Sequence, residues 1–365
     1  MSQKTRPPND ISKNDLLPSK DHHTLSSDVI IIGAGPVGLF AVFACGMLNM
    51  RSIVIDSLPA IGGQLQALYP EKPIYDIAGF PSILAGDLIS NLKKQAQPFK
   101  PHYLLDEQVV DLTPLFHSKG QKDAQGWSLT TNLKRALQTK ILIIAAGAGS
   151  FSPNRPPLKD ITSYEGKSVH YVVRERAFFK DKTIMIAGGG DSAIDWALSL
   201  ATIAKKVFLV HRRAKFRAAP ASLGMLETYR QSGRVELVTP YQLHQLHGDN
   251  GRLKAVSLRD FDQNIKRIEC EHLLAFFGLK SELGVINDWG LEVERKLILV
   301  DHASMQTNLK GIYAIGDVAH YAGKLKLIAQ GFGEALTCAH HAWHLLHQDQ
   351  ALHFEHSTSR GVGFK

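Results

Sequence analysis

The chain has 365 residues, long enough for two domains with sizeable cores, and its 44% hydrophobic and 21% charged content excludes wholesale disorder. No apolar run approaches the roughly 20 residues that cross a bilayer, which points to a soluble protein without membrane insertion. The net charge of +8 favours an anionic partner, yet no Lys/Arg run with interleaved aromatics marks nucleic acid as that partner.

Residues 1–26 set Lys4, Arg6, Lys13 and Lys20 among Asp10, Asp15 and Asp21 without an apolar segment, so they read as a disordered tail rather than a targeting peptide. Beyond them strand candidates alternate with helical patterns: Asp28–Ile32, Ser52–Asp56, Ile141–Ala145, Thr183–Ala187, Lys206–His211 and Gly311–Ile315. That alternation is the signature of βαβ units and parallel sheets. Directly after the first strand, VIIIGAGPVGLFAV sets Gly33, Gly35 and Gly38 in the spacing G-x-G-x-x-G. Glycines there permit a tight turn and let the backbone approach a pyrophosphate at a helix N-terminus. Asp56 ends the next strand 23 positions after Gly33, close to the spacing of about 20 for an acid that binds ribose hydroxyls.

GSFSPNRPPLKD, Gly149–Asp160, is rich in Pro and Ser and reads as a linker out of the first domain. After it, IMIAGGGDSAIDWA repeats the strand–turn–helix pattern, with Gly188, Gly190 and Ala193 as G-x-G-x-x-A. The equivalent position after the following strand is not an acid but His211, followed by Arg212, Arg213 and Arg217 in HRRAKFRA. An acid would accept from a free 2′-hydroxyl and repel a 2′-phosphate, whereas these cations attract one, so the second turn points to NADP(H). A second boundary falls near Phe276–Gly290. The segment IYAIGDVAHYAG that follows reads as a return to the first domain, where Asp317 is set to hold a polyalcohol chain such as ribityl. That second contact zone assigns FAD rather than NAD to the first turn.

The fold class is therefore α/β, with two Rossmann-like (βαβ) dinucleotide-binding domains. The NADP(H) domain, 150–284, is inserted into a discontinuous FAD domain, 27–149 and 285–365, which ends in a C-terminal extension. The three cysteines, Cys45, Cys270 and Cys338, are odd in number and far apart, which excludes a disulfide scaffold and fits a reducing, cytoplasmic compartment.

From Asp28 to Ala342 the order of motifs, including GGQ at Gly62–Gln64, resembles the two-dinucleotide-binding flavoprotein reductases, and within them the thioredoxin reductase branch. That branch carries a CATC disulfide just before its second turn. Here the four positions are Val172, Val173, Arg174 and Glu175, and no cysteine pair follows the GG at Gly62–Gly63 either. Without a dithiol relay the chain is similar to the dithiol-free members of the branch, the thioredoxin-reductase-like ferredoxin–NADP⁺ reductases. The resemblance implies FAD contacts at Gly33, Gly35, Pro36, Gly38, Asp56, Gly63, Gln64, Tyr69, Val109, Asp317 and Ala329. It implies NADP(H) contacts at Gly188, Gly190, Asp191, Ser192, Ala193, His211, Arg212, Arg213 and Arg217. Tyr69 would stack on the flavin ring, and His356 with Ser357, from the extension FEHSTSRGVGFK, would cover its opposite face. Ferredoxin, or flavodoxin, would be the protein partner of a homodimer, with the positive charge suited to an acidic partner.

Two other readings carry different expectations. A flavin monooxygenase or quinone reductase would use a small-molecule acceptor, although no FxGxxxHxxxWP-type motif lies between the turns. A redox-sensing module would hold both cofactors without steady turnover. His340, His344 and His347 share a helical face at metal-binding spacing, but no acid or cysteine completes a shell locally, so no metal is expected.

Overall fold

VIII and ILII are apolar at successive positions rather than at alternate ones, as strands covered on both faces require. In the computed structural model, Val29, Ile30 and Ile31 and Ile141, Leu142, Ile143 and Ile144 are all fully buried at the centre of one sheet. Truncating any of these side chains to alanine removes its burial and leaves a cavity, a cost of about 2–5 kcal/mol. The structure describes residues 24–116 and 124–352. They form two units, the chain leaving the first between Ser150 and Phe151 and re-entering it between Ser281 and Glu282. The helices are α1 (Pro36–Met47), α2 (Gly63–Leu68), α3 (Ala85–Ala96), α4 (Asp191–Leu200), α5 (Pro220–Gln231) and α6 (Ile328–Leu346).

The first unit carries a seven-stranded sheet. Strands His102–Leu105, Ser52–Asp56, Leu25–Ile32 and Ala136–Ile144 run parallel in that spatial order, and Ile312–Ala314 pairs parallel with the last of them. An antiparallel meander, Val109–Leu115 and Gly126–Thr131, continues from Ala136–Ile144. On one face α1, α3 and α6 bury Leu39, Cys45, Leu88, Leu92, Ala335 and Cys338. The other face is covered by Ile286, Leu291, Ile298 and Val318. The strand expected at Asp28 begins at Leu25, where Leu25 and Ser26 pair with Leu137 and Gln138. The tail expected to run to residue 26 is corrected accordingly: its last two residues gain backbone partners along a strand already pairing downstream.

The second unit has a five-stranded parallel sheet in the order Val169–His170, His272–Ala275, Thr183–Ala187, Lys206–Val210, Val235–Val238. An antiparallel trio, Gln242–Asp249, Arg252–Arg259 and Ile265–Glu269, covers it, with Val256, Leu258, Met185 and Leu273 in the shared core. The strand ends at Val210, one residue short of expectation, so His211 belongs to the turn that follows.

Candidate functional site

Parallel strands end together at one edge of a sheet, so each unit collects its post-strand turns on that side. In the first unit the turn after Leu25–Ile32 carries Gly33, Gly35 and Gly38. Gly33 sits at φ +109, and a Cβ on Gly38 would lie 1.9 Å from the Gly33 carbonyl oxygen, so no other residue fits either position. At Gly35 a Cβ would meet nothing within 4 Å. The space in front of Gly35 is open to a ligand, and it lies at the N-cap of α1, whose first residue is Pro36. Gly62 donates its N–H to the Ala34 carbonyl at 2.9 Å. A Cβ on Gly63 would come within 3.0 Å of the Gly35 Cα, so the GGQ segment lies directly against the first turn. Gln64 extends from α2 towards Gly147, in the turn after Ala136–Ile144.

Asp56 is 9% exposed. Its two oxygens accept the backbone N–H of Ala34 at 2.7 Å and of Leu58 at 2.8 Å. Burial pushes this carboxyl up, while those two N–H groups hold it down. Each oxygen keeps a further lone pair for a hydroxyl. Tyr69 ends α2 half-buried, and burial together with the nearby Asp317 charge raises its hydroxyl pKa. Those two expected residues are thus brought together, with the Lys72 ammonium 5.8 Å from the Tyr69 ring centroid. Asp317 is exposed in the turn after Ile312–Ala314, and Ala329 is exposed in the first turn of α6. Val109 behaves otherwise. Its side chain packs in the core with Ile30, Ile53 and Leu129, which leaves its backbone for the expected contact. His356 and Ser357 lie outside the described residues.

The second unit repeats the arrangement with a different charge. Gly190 caps α4, and the turn His211–Ala219 folds back on it: the Arg217 N–H donates to the Gly189 carbonyl at 2.7 Å, and Asp191 accepts the Ala219 N–H at 3.1 Å. A Cβ on Gly189 would fall 2.1 Å from the His211 ring, so that ring lies flat against the turn. Burial and the charges of Arg212, Arg213 and Arg217 lower the His211 pKa. The three arginines are exposed, and among the described residues none of them is ion-paired. Ser192 is exposed, while Ala193 is buried against Gly188.

Sequence reasoning missed a third group. Glu334, in α6, accepts the Gly316 N–H at 2.7 Å and the Tyr321 hydroxyl at 2.7 Å, and it is in contact with the Lys324 ammonium. A carboxylate in the otherwise apolar pattern of α6 was its signal. The three cysteines are free and buried, with burial pushing Cys45 and Cys270 up to about 12, far from thiolate reactivity. His344 and His347 pack on the Trp343 ring, with centroids at 5.4 and 4.7 Å.

The family profile described as pyridine nucleotide-disulphide oxidoreductase matches residues 27–342. Proteins named ferredoxin–NADP reductase from Rickettsia akari and from Rhodospirillum rubrum are each 52% identical to this chain. Alignment with the first covers 92% of the chain and 98% of the relative; with the second, 93% and 97%. In fold, the chain superposes on thioredoxin reductases from Lactococcus lactis and T. acidophilum at a TM-score of 0.72 each. The identities are 22% and 23%, over 88% and 87% of this chain and 99% and 98% of theirs. The shared fold without the shared dithiol, together with identity above one half to the named relatives, places the chain in the ferredoxin–NADP reductase family, the enzymes of thioredoxin-reductase-like fold within the pyridine nucleotide-disulphide oxidoreductases.

Proposed function

We propose that the first unit binds FAD, that the second binds NADP(H), and that the enzyme exchanges electrons between NADP(H) and ferredoxin. The observation that carries this reading is the contrast between two otherwise equivalent turns: one is closed by the buried acid Asp56, the other by exposed Arg212, Arg213 and Arg217. Asp56 accepts from unphosphorylated ribose, and the arginines receive a 2′-phosphate through charge-assisted hydrogen bonds. The first turn fits FAD in particular because a second contact zone, Tyr69 with Asp317, lies in the same unit.

Held there, FAD would supply the chemistry that couples two-electron exchange with NADP(H) to the one-electron exchange that an iron–sulfur partner needs. The protein's own contribution is binding and orientation. Gly33, Gly35, Pro36, Gly38, Gly63 and Gln64 would cradle the pyrophosphate, and Asp317 and Ala329 would hold the ribityl chain and ring edge. Tyr69, with the Lys72 ammonium 5.8 Å from its ring centroid, would stack on the ring. In the second unit Gly188, Gly190, Asp191 and Ser192 would hold the pyrophosphate, and His211 lies against the turn. The assembly is a cytoplasmic homodimer, and flavodoxin is an alternative acceptor of the same electrons.

The test is NADPH-driven cytochrome c reduction by the purified yellow protein, with and without added ferredoxin. The reading expects strong stimulation by ferredoxin. Flavin bleached by NADPH, with ferredoxin making no difference, would move the assignment to a small-molecule acceptor or a sensor.

A further inference from the structure

The mechanism above uses Asp317 but not the buried polar group behind it. The Lys324 and Glu334 side chains are only 4% and 2% exposed. The Glu334 carboxylate accepts from the Gly316 N–H at 2.7 Å through one oxygen; through the other it accepts from the Tyr321 hydroxyl at 2.7 Å and meets the Lys324 ammonium. Gln330 Nε2 donates to the Tyr321 hydroxyl at 2.8 Å, and Lys324 lies over the Tyr321 ring at 5.6 Å from its centroid. Taking two charges out of water offsets most of their attraction, so a buried pair contributes little net stability, and an apolar pair of similar size often does as well. What the group does supply is geometry, because the carboxylate, the Tyr321 hydroxyl, the ammonium and the Gln330 amide meet in one arrangement.

That arrangement joins three segments. Gly316 directly precedes Asp317 and sits at φ +74. Its N–H follows the last strand hydrogen bond, from the Ile315 N–H to the Ile144 carbonyl, and has Glu334 as its acceptor. Glu334 lies one turn inside α6 from Gly331, where a Cβ would fall 2.4 Å from Val37 Cγ2 and 3.4 Å from the Gly316 Cα. Val37 is the second residue of α1, next to the Gly35 turn. The start of α1, the Gly316–Asp317 turn and the start of α6 are thus packed together, with Glu334 holding the turn to the helix.

We propose that Lys324, Tyr321 and Glu334 are positioning residues for the flavin, clamping the Gly316–Asp317 turn and the first turn of α6 in register with the α1 glycine turn. The proposal rests on the reading of the Asp317 turn as a flavin contact. Full-length holoenzyme carrying Lys324→Met/Glu334→Leu, Tyr321→Phe or Asp317→Ala is loaded with FAD. Three quantities are read: the rate of flavin release on dilution from flavin fluorescence, the visible absorption spectrum, and far-UV circular dichroism.

The paired variant is expected to release FAD at least tenfold faster with an altered visible spectrum and unchanged dichroism, and Tyr321→Phe two- to fivefold faster. Parental release and spectra in both, with fast release from Asp317→Ala, overturn the clamp and leave the flavin reading standing. Parental release from Asp317→Ala as well overturns both. Faster release accompanied by lost dichroism assigns the group to folding alone and overturns the proposal. Should the paired variant fail to fold, Tyr321→Phe decides by the same criteria.

Discussion

Arg212 and Arg213 are exposed cations with no structural task among the described residues, so removing them tests binding without disturbing the fold. A charge-assisted hydrogen bond contributes roughly 1.5–3 kcal/mol. Arg212→Ser/Arg213→Ser is therefore expected to raise KM for NADPH about 10- to 100-fold and to leave turnover with NADH unchanged. Steady-state kinetics with both nucleotides check this, and an unchanged KM for NADPH would remove the 2′-phosphate reading. Asp56 behaves differently because both its oxygens already serve the backbone. In Asp56→Asn one of the two acceptors becomes an NH₂ group facing an N–H, a cost of about 1–3 kcal/mol. The expected result is a lower urea midpoint together with a reduced flavin-to-protein ratio after purification. The arginines were legible from sequence because their chemistry is local to one turn. The Ala34 donor to Asp56 was not, since that contact spans 22 positions.

At the scale of the element, the glycine turn separates two roles that the motif alone runs together. Gly38 gives α1 its close approach, and a Cβ there would strike the Gly33 carbonyl oxygen at 1.9 Å. Gly35→Ala, by contrast, meets open space with φ −72, which any residue adopts. Gly38→Ala is expected to destabilise the first unit by about 1–3 kcal/mol through overpacking. Gly35→Ala should change stability by no more than about 0.5 kcal/mol, yet lower flavin affinity by placing a methyl where the pyrophosphate approaches. Urea unfolding and flavin titration on the two variants measure the split. Similar losses of stability in both would contradict it. α6 teaches the complementary lesson: its apolar face was readable as core, but the partner of Glu334 was not, because the loop from His320 to Leu327 decides where Lys324 and Tyr321 arrive.

On the scale of the whole molecule, stability depends on pH through histidines that are partly withdrawn from water. His170 lies 3.2 Å from His272 and among the rings of Phe178 and Phe179. Burial, with a smaller contribution from the His272 charge, lowers its pKa from 6.5 to about 4. A histidine whose folded pKa is depressed binds its proton more readily in the unfolded chain, so the folded state loses stability as pH falls from 6.5 towards 4. After allowance for partial exposure, His170 accounts for roughly 2 kcal/mol of that loss. His272, His340 and His341 are shifted in the same direction, also chiefly by burial. The urea midpoint is expected to drop between pH 7 and pH 5, and His170→Leu to flatten part of that drop. Equal pH slopes for variant and parent would exclude His170 as a contributor.

The sequence by itself determined the two α/β units, both glycine turns, the contrast of Asp56 with the arginines, and the absence of a dithiol. Each strand–turn–helix motif and its closing acid or arginines is written within about 30 residues of contiguous chain, where hydrophobic period, glycine spacing and charge act locally. Only the tertiary structure decided that Gly63 lies against Gly35, that Asp317 comes near enough to Tyr69 to raise its hydroxyl pKa, that the Val109 side chain belongs to the core, and that Glu334 holds the Gly316 turn. Those relations join segments far apart in the chain, and they follow from which strands pair and how helices pack across them, which no local pattern specifies.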